Sequence, residues 1–409
     1  MKYIENFKIS DLDNLLANRE IARTLCGSEI CGSKKSTCGG NTIANNELND
    51  EHHKELSDML HDGLQNELHK DFYFIIDSNL KEYFKYFSNY KLLKIDALEE
   101  NKSLSTVEKI DRWLMEQGAA KSSVIVGVGG GIITDITGFV AATYMRGIRG
   151  IFIPTTLLAQ CDASIGGKNG VNLDGIKNLI GTISFNVEIL ILCPEFLNTL
   201  SMRILREGMA EILKTFLVTD SALYEKVVET FKKIVDNERV FNKERFQDSE
   251  NITYGDILSR MKPTVREDIE KKMSEIIAAC QKRKMEIVEG DKYDRGIRHI
   301  LNFGHTFGHA IEYCSKGKLL HGEAVAIGIV MALKKSVKEG ICKEEIAKKI
   351  ENDFRELQLP VSDGNFNIDS INFAIMRDKK NRGEKIQFVL LQEIGKPLIK
   401  ELNLNTLAK

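Results

Sequence analysis

No charge of one sign dominates this sequence: 57 lysines and arginines stand against 59 aspartates and glutamates, for a net charge of -2. That balance removes any global reason to bind nucleic acid or an anionic membrane, so a small anionic ligand would have to be held by local cations. A cysteine framework is also missing. The 8 cysteines, at positions 26, 31, 38, 161, 193, 280, 314 and 342, are scattered, and the opening MKYIENFKISDL carries acids but no apolar core of a secretory signal. Reduced thiols and a cytoplasmic location are therefore expected. The most apolar stretch, Ser123 to Met145, is interrupted by Asp135 and a cluster of glycines, so it reads as a buried strand, turn and helix rather than a membrane span. The chain shows no internal repeat.

What is present suits a globular protein, with 43% hydrophobic and 28% charged residues over 409 positions, a length that suggests two domains. Residues 1–70 read as an atypical extension, with 24–52 rich in Gly, Ser, Asn and Cys and expected to be loop or disordered. From FYFII at 72–76 the pattern changes. That run, VIVGV (124–128), IFIP (151–154) and VEILILC (187–193) alternate with helical periodicity such as Leu104 to Gln117. The alternation predicts an α/β, Rossmann-like domain with a largely parallel sheet over 71–200. Beyond it, ILREGMAEILKTFLV, REDIEKKMSEIIAACQKRKMEIV and HGEAVAIGIVMALKKSV predict a mostly α-helical domain over 201–409, with the polar stretch 237–261 read as an insertion.

Four segments carry chemistry. In GVGGGIITDITG (127–138), glycines after a strand let the backbone approach a pyrophosphate at a helix N-terminus, although a tight strand-to-helix turn would have the same composition. Thr155 and Thr156, after the next strand, could reach a nucleotide. In CDASIGGKNGVNLDGIKNLIG (161–181), Asp162, Lys168, Lys177 and Asn178 sit in what reads as a Gly-rich loop. A single lysine is ordinarily surface charge, but two beside Asp and Asn suit a phosphate or carboxylate. Glu207, Glu211 and Lys214 share one helix face, which taken alone reads as an exposed, ion-paired surface. The sharpest segment is LNFGHTFGHAIEYCSKGKLLHGEA (301–324), which holds three of the chain's 8 histidines. Helical spacing pairs His305 with His309, and His321 returns at the start of the next helix. Imidazoles with a carboxylate and an open position describe a catalytic zinc site, while a satisfied histidine pair in a helical core is the plainer alternative.

Taken in order, GGGIITDITGFVAATYMRG, PTTLLAQCDASIGGKNGVNL, GIKNLIG, GMAEILK, RHILNFGHTFGHAIE, HGEAVAIG and MRDKKN resemble the 3-dehydroquinate synthase family of sugar phosphate cyclases, from about Asp77 to Leu391. The resemblance implies metal ligation by Glu211, His305 and His321, with His309 facing the substrate. It implies substrate or catalytic roles for Asp162, Lys168, Asn178, Lys214, Lys284, Arg298 and Asn302, and for Arg146 reaching the active site of the partner subunit in a homodimer. Lys379 or Lys380 would add a further anion contact. Asp77, Asn79, Glu99, Lys102, Gly130, Gly131, Asp135, Thr155, Thr156, Lys177 and Thr199 match NAD-contacting positions. The implied cofactors are NAD and Zn2+ or Co2+. The implied substrate is a small anionic sugar phosphate, 3-deoxy-D-arabino-heptulosonate 7-phosphate, which is converted to 3-dehydroquinate and phosphate in the shikimate pathway. The implied route is transient oxidation, phosphate elimination, reduction and aldol closure, with NAD regenerated each turnover.

Related activities are weighed against this one. Cyclases of the 2-deoxy-scyllo-inosose and sedoheptulose 7-phosphate types share NAD and metal but act on substrates without the carboxylate, and Gly166-Gly167-Lys168 with His309 favours dehydroquinate synthase. A glycerol-dehydrogenase-like polyol dehydrogenase would not need the lysines and arginines of the anion site. A catalytically silent binding module would not need Glu211, His305, His321 and Lys214. Two features depart from the family: the long segment before FYFIID, whose Cys26, Cys31 and Cys38 with His52 and His53 have no standard zinc spacing, and Lys292, where members commonly carry an acid.

Overall fold

The computed structural model describes residues 1–16, 71–245, 252–362, 370–371, 373–375 and 385–403, so the readings of 24–52, of Cys26, Cys31, Cys38, His52 and His53, and of Lys379 and Lys380 lie outside the described residues. The chain divides into two units, Met1–Leu197 and Asn198–Lys409.

The first unit is built on a six-stranded sheet in the order β1-β8-β5-β4-β2-β3, every pair parallel. Its strands are β1 (Lys2–Ile4), β2 (Phe72–Asp77), β3 (Lys91–Ile95), β4 (Val124–Gly129), β5 (Arg149–Pro154) and β8 (Val187–Ile191). This is the expected α/β architecture. Strands covered on both faces need apolar side chains in unbroken runs. In β2, Phe72, Phe74 and Ile76 enter one core cluster while Tyr73 and Ile75 enter the other, as the two-residue period of a strand requires. The second cluster is completed by Val107, Ile110 and Leu114 of helix α2 (Leu104–Glu116) and by Ile133, Ile136 and Val140 of α3 (Gly131–Thr143).

Two expectations for this unit are corrected. FYFIID is not the first strand. Residues 2–4 pair in parallel with β8, and Ile4, Phe7, Ile9, Leu12, Leu15 and Leu16 are buried in the sheet's first cluster, the last three on the short helix α1 (Leu12–Leu16). Three residues of strand are too short a run for sequence periodicity to register. Nor is the Gly-rich segment a loop: β6 (Lys168–Leu173) and β7 (Ile176–Ile183) form an antiparallel hairpin. Its turn is Asp174-Gly175, both with positive φ (50° and 75°), as a two-residue hairpin turn requires.

The second unit is mostly helical, as expected, with α4 (Met202–Thr219), α5 (Ser221–Arg245), α6 (Tyr254–Arg260), α7 (Pro263–Gly290), α8 (His305–Ser315), α9 (His321–Lys338) and α10 (Glu344–Glu356). The polar stretch 237–261 is not wholly an insertion. Its first part ends α5, where Phe241 is buried, and its last part is α6, which a Thr253/Asp256 capping box starts and whose Ile257 and Leu258 are buried. An antiparallel hairpin, β9 (Lys385–Glu393) with β10 (Lys396–Asn403), adds a sheet that the helical reading of this half missed.

Helix α9 is almost wholly buried from Ala324 to Val330. Its crossings with α8 and α4 are close enough to need glycine. A Cβ on Gly328 would sit 2.2 Å from the Gly304 carbonyl oxygen, and one on Gly322 would sit 2.3 Å from that of Glu207. Backbones at that separation bring the ends of α8 and α9 against the middle of α4.

Candidate active site

In the helical unit the predicted ligands converge. Glu211 lies mid-way along α4, a helix started by the Ser201 hydroxyl accepting from the Ile204 N–H. Its side chain is fully buried, and Lys214, one turn on, is 2% exposed with its Nζ 2.6 Å from Glu211 Oε2. The exposed, ion-paired face that this spacing suggests is therefore corrected. The pair is inside because α9, α7 and α5 all pack on α4.

His305 and His321 are the first residues of α8 and α9. Their Nε2 atoms lie 3.7 and 3.5 Å from Glu211 Oε1, longer than an ordinary hydrogen bond. Each Nδ1 has its own partner, the Phe303 carbonyl oxygen at 3.3 Å for His305 and Glu312 Oε2 at 3.1 Å for His321. Both Nε2 atoms thus face one carboxylate oxygen. Donor atoms around a tetrahedral zinc are about 3.3 Å apart, given Zn–N and Zn–O lengths of about 2.0–2.1 Å. The donor set and its spacing fit a divalent ion. His309 is exposed, and its ring lies 5.2 Å from that of His305 and 5.8 Å from that of His321, centroid to centroid. The three imidazoles each offer a nitrogen within 4.8 Å of the others, so the structure joins His321 to the pair that helical spacing alone would give.

The electrostatics are those of a cation site. Burial opposes ionisation of Glu211, yet Lys214, His305 and His321 hold its carboxyl well below the usual range. Burial, with the Lys214 charge, holds His305 well below the usual imidazole range. For His321 burial acts the same way, but the carboxylates of Glu211 and Glu312 outweigh it and push its pKa up to about 10. Because a ligating imidazole must be neutral, a metal ion at Nε2 would displace the proton that this field draws there. Burial raises the nearby Glu207, with the charge of His321 acting against that rise.

The anion candidates of this unit stand on α7 and the turn after it. Lys284 and Arg298 are buried, with 7% and 3% exposure, although both are cations. Arg298 is held by its loop: Nη1 donates to the Lys292 carbonyl oxygen at 2.9 Å, so position 292 serves that contact through its backbone and the absent acid does not matter to it. The Asp291 carboxylate accepts the N–H groups of Arg295, Gly296 and Arg298 at 2.9, 2.6 and 3.2 Å. Those hydrogen bonds, the one from Arg295 foremost, hold the Asp291 carboxyl below its usual range. Asn302 is exposed at the end of the short 3-10 helix Ile297–Asn302. Sequence reasoning missed Asp291 and Glu312, and it placed Glu207 only on an exposed, ion-paired face. Glu312 ends the quoted motif GHAIE, and its spacing of seven residues from His305 was the available signal.

In the sheet unit a second set gathers. Gly130 caps α3 as β4 ends, with Gly131 beginning the helix. Lys102 pairs with Asp135 of α3 and donates to Asn178 Oδ1 at 2.5 Å, which puts Asn178, expected among the substrate positions, with residues expected at the nucleotide. Asn172 donates to Glu99 Oε1 at 2.7 Å, and Lys177 lies 3.6 Å from Glu99. Asp77, raised by burial, accepts from the backbone and side-chain nitrogens of Asn79. Thr155 is buried and donates its N–H to the Gly129 carbonyl, while the Thr156 hydroxyl accepts from the Ala159 N–H. Asp162 lies in a π-helical turn, Ala159–Ala163, a deformation that recurs at functional sites. Lys168 opens β6, exposed. Met145 and Arg146 both have positive φ, 48° and 63°, in an exposed turn after α3, an uncommon backbone for non-glycine residues. Thr199 ends the 3-10 helix Pro194–Thr199 at the division between units.

The family profile described as 3-dehydroquinate synthase N-terminal matches residues 92–207, and the one described as 3-dehydroquinate synthase C-terminal matches 208–381. The chain belongs to the 3-dehydroquinate synthase family. A family member from Clostridium tetani (strain Massachusetts / E88), named 3-dehydroquinate synthase, is 38% identical over 335 residues, covering 81% of this chain and 78% of that protein. Another, from Streptococcus pneumoniae (strain JJA), is 38% identical over 75% of this chain and 77% of its own. Solved structures extend the likeness to other cyclases. One is the 2-epi-5-epi-valiolone synthase of Streptomyces hygroscopicus subsp. jinggangensis 5008 with NAD+ and Zn2+ bound, with a TM-score of 0.69 and 26% identity over 82% of this chain and 88% of that one. A second is a 2-deoxy-scyllo-inosose synthase complexed with carbaglucose-6-phosphate, NAD+ and Co2+, with a TM-score of 0.65 and 25% identity over 83% of this chain and 89% of that one.

Proposed function

We propose that this chain converts 3-deoxy-D-arabino-heptulosonate 7-phosphate to 3-dehydroquinate and phosphate, as a carbon-oxygen lyase using NAD and a divalent metal. The observation that carries the reading is the buried Glu211 oxygen facing the Nε2 atoms of His305 and His321 at 3.7 and 3.5 Å, with Lys214 on the other oxygen. When bound, NAD would take and return a hydride, and Zn2+ or Co2+ would polarise a substrate oxygen. The rest falls to the side chains. Glu211, His305 and His321 hold the ion. Lys214, Lys284, Arg298 and Asn302 bind and orient the substrate's charged and hydroxyl groups, Asp162, Lys168, Asn178 and Arg146 complete that set, and His309 faces the substrate, able to hold or move a proton. Because phosphate can assist its own departure, positioning and charge stabilisation are the protein's main task. Asp77, Asn79, Glu99, Lys102, Gly130, Gly131, Asp135, Thr155, Thr156, Lys177 and Thr199 are assigned to NAD.

The proposal includes a homodimer and a cytoplasmic location. Support for the first comes from the β6–β7 hairpin, which exposes Leu173, Ile176, Leu179 and Ile183, with Phe185 exposed just after it, a larger apolar display than a lone surface residue. Bearing on the second, no helix among the described residues is long and apolar enough to cross a membrane. The activity is tested by supplying the heptulosonate phosphate with catalytic NAD. Phosphate released in excess of NAD, without net NADH, is the expected result. Turnover of sedoheptulose 7-phosphate instead would favour another cyclase, and accumulating NADH a polyol dehydrogenase.

A further inference from the structure

Glu312 belongs to none of the roles assigned so far, yet it touches one of the proposed ligands. It lies on α8 seven residues after His305, which places the two on one face of that helix. Its side chain is 10% exposed, and its Oε2 is 3.1 Å from His321 Nδ1. The connection from α8 to α9 turns back through Lys316 and Gly317, both at positive φ, so that α9 begins beside the last turns of α8. The backbone at the start of α9 is pinned independently: Leu320 N–H donates to Glu323 Oε2 at 2.8 Å, and Glu323 is gripped by Arg203 through two bonds of 2.7 and 2.8 Å. That cap fixes where His321 starts. It does not fix which way the imidazole turns or which nitrogen carries the proton.

We propose that Glu312 is the positioning residue of the metal centre: by accepting the Nδ1–H of His321 it commits Nε2, with its lone pair, to the point shared by Glu211 Oε1 and His305 Nε2. The inference rests on the metal-site reading above. A carboxylate behind a ligating imidazole sets the tautomer and ring orientation and increases the basicity of the donor nitrogen, and loss of such a partner costs about 10–100-fold in metal affinity. His305 has a weaker arrangement, with the neutral Phe303 carbonyl at 3.3 Å behind its Nδ1. The two imidazoles are therefore unequal donors, and His321 is the one whose grip depends on a charge.

The test uses the full chain, stripped with a chelator and titrated with Zn2+ against a chromophoric competitor, and with Co2+ followed by its visible absorption. No substrate is needed. Glu312→Ala should weaken Zn2+ binding about 10–100-fold and alter the Co2+ spectrum. Glu312→Gln, which keeps an acceptor at Nδ1 but not the charge, should fall between Glu312→Ala and the parent. The metal-free Tm of Glu312→Gln should match that of the parent, which separates positioning from a merely structural tie between α8 and α9. A Glu312→Ala dissociation constant within about twofold of the parent would overturn the proposal, against the 10–100-fold expected. So would a Glu312→Gln no tighter than Glu312→Ala. If Glu312→Ala does not fold, Glu312→Gln carries the test alone, and binding equal to the parent overturns it. A parent that takes up no metal would overturn the metal centre itself, whereas a parent that binds metal but releases no phosphate from the heptulosonate phosphate would overturn only the proposed reaction.

Discussion

Glu211 and Lys214 meet at 2.6 Å inside the helical unit, whereas Glu99 and Lys177 meet at 3.6 Å with 46% of each side chain exposed. Both pairs lie among residues proposed to bind ligands, but they stand on different supports. Helix starts, glycine crossings and a buried carboxylate arrange the first before any ligand arrives. The second joins Lys177 of the β6–β7 hairpin to Glu99 of the short 3-10 helix Glu99–Asn101, both half exposed, where an ion pair contributes little and salt screens it. The contrast divides these two pairs: the one beside the proposed metal ligands is buried and pre-arranged, whereas Glu99 and Lys177 are half exposed, although other residues proposed to meet NAD, such as Lys102 and Thr155, are themselves buried.

The sharpest way to break that division is to remove a buried charge. Glu211→Ala should abolish turnover in the phosphate-release assay, because it takes away one proposed ligand and removes the carboxylate that the buried Lys214 meets. Residual turnover within about tenfold of the parent, a difference of about 1.4 kcal/mol in the barrier, would contradict the assignment. Next in size is the crossing that brings the ligands together. Gly328→Ala puts a methyl against the Gly304 carbonyl and should destabilise the helical unit by about 3 kcal/mol, lowering Tm by about 6–12 °C in a thermal melt. An unchanged Tm would mean that the helices separate without strain.

The exposed side of the comparison predicts smaller losses of another kind. Lys168→Ala should lower kcat/KM by about 10–100-fold, the effect of one charge-assisted hydrogen bond, with metal content unchanged. The smallest effect concerns Asp291. Its folded pKa is depressed, so its contribution to stability is present above its unfolded pKa and is lost as pH falls through the lower folded value. Asp291→Asn should therefore melt below the parent near neutral pH, and the gap should narrow as pH falls below about 4, the ordinary aspartate value. A gap that widens with acid would reverse the sign and remove Asp291 as the anchor of the Arg298 loop.

Legibility in the sequence followed the same division. Long apolar strands such as FYFII and VIVGV, and the periodic helices of the second half, announced themselves because each run is several residues long and its period is set by burial. Residues 2–4 were too few to show a period, although their pairing with β8 makes the sheet begin near Met1. The hairpin at 168–183 reads as a loop in sequence because glycines and lysines outweigh the Asp174-Gly175 turn signal. At the site, the identity of Glu211, His305 and His321 came from the family's motifs. The helical spacing of Glu207, Glu211 and Lys214 suggests a solvated face, since local spacing says nothing about which helices will cover it. Asp291 and Glu312 act through other residues, one on a loop backbone and one on an imidazole; Asp291 lies in none of the motifs, and the spacing of Glu312 from His305 shows a shared helix face but not the contact with His321.

The division itself is tested most directly by metal analysis of three purified chains: the parent, His305→Ala and Lys168→Ala. The account predicts one divalent ion per chain in the parent and in Lys168→Ala, and none in His305→Ala. Metal retained in His305→Ala, or lost in Lys168→Ala, would contradict it.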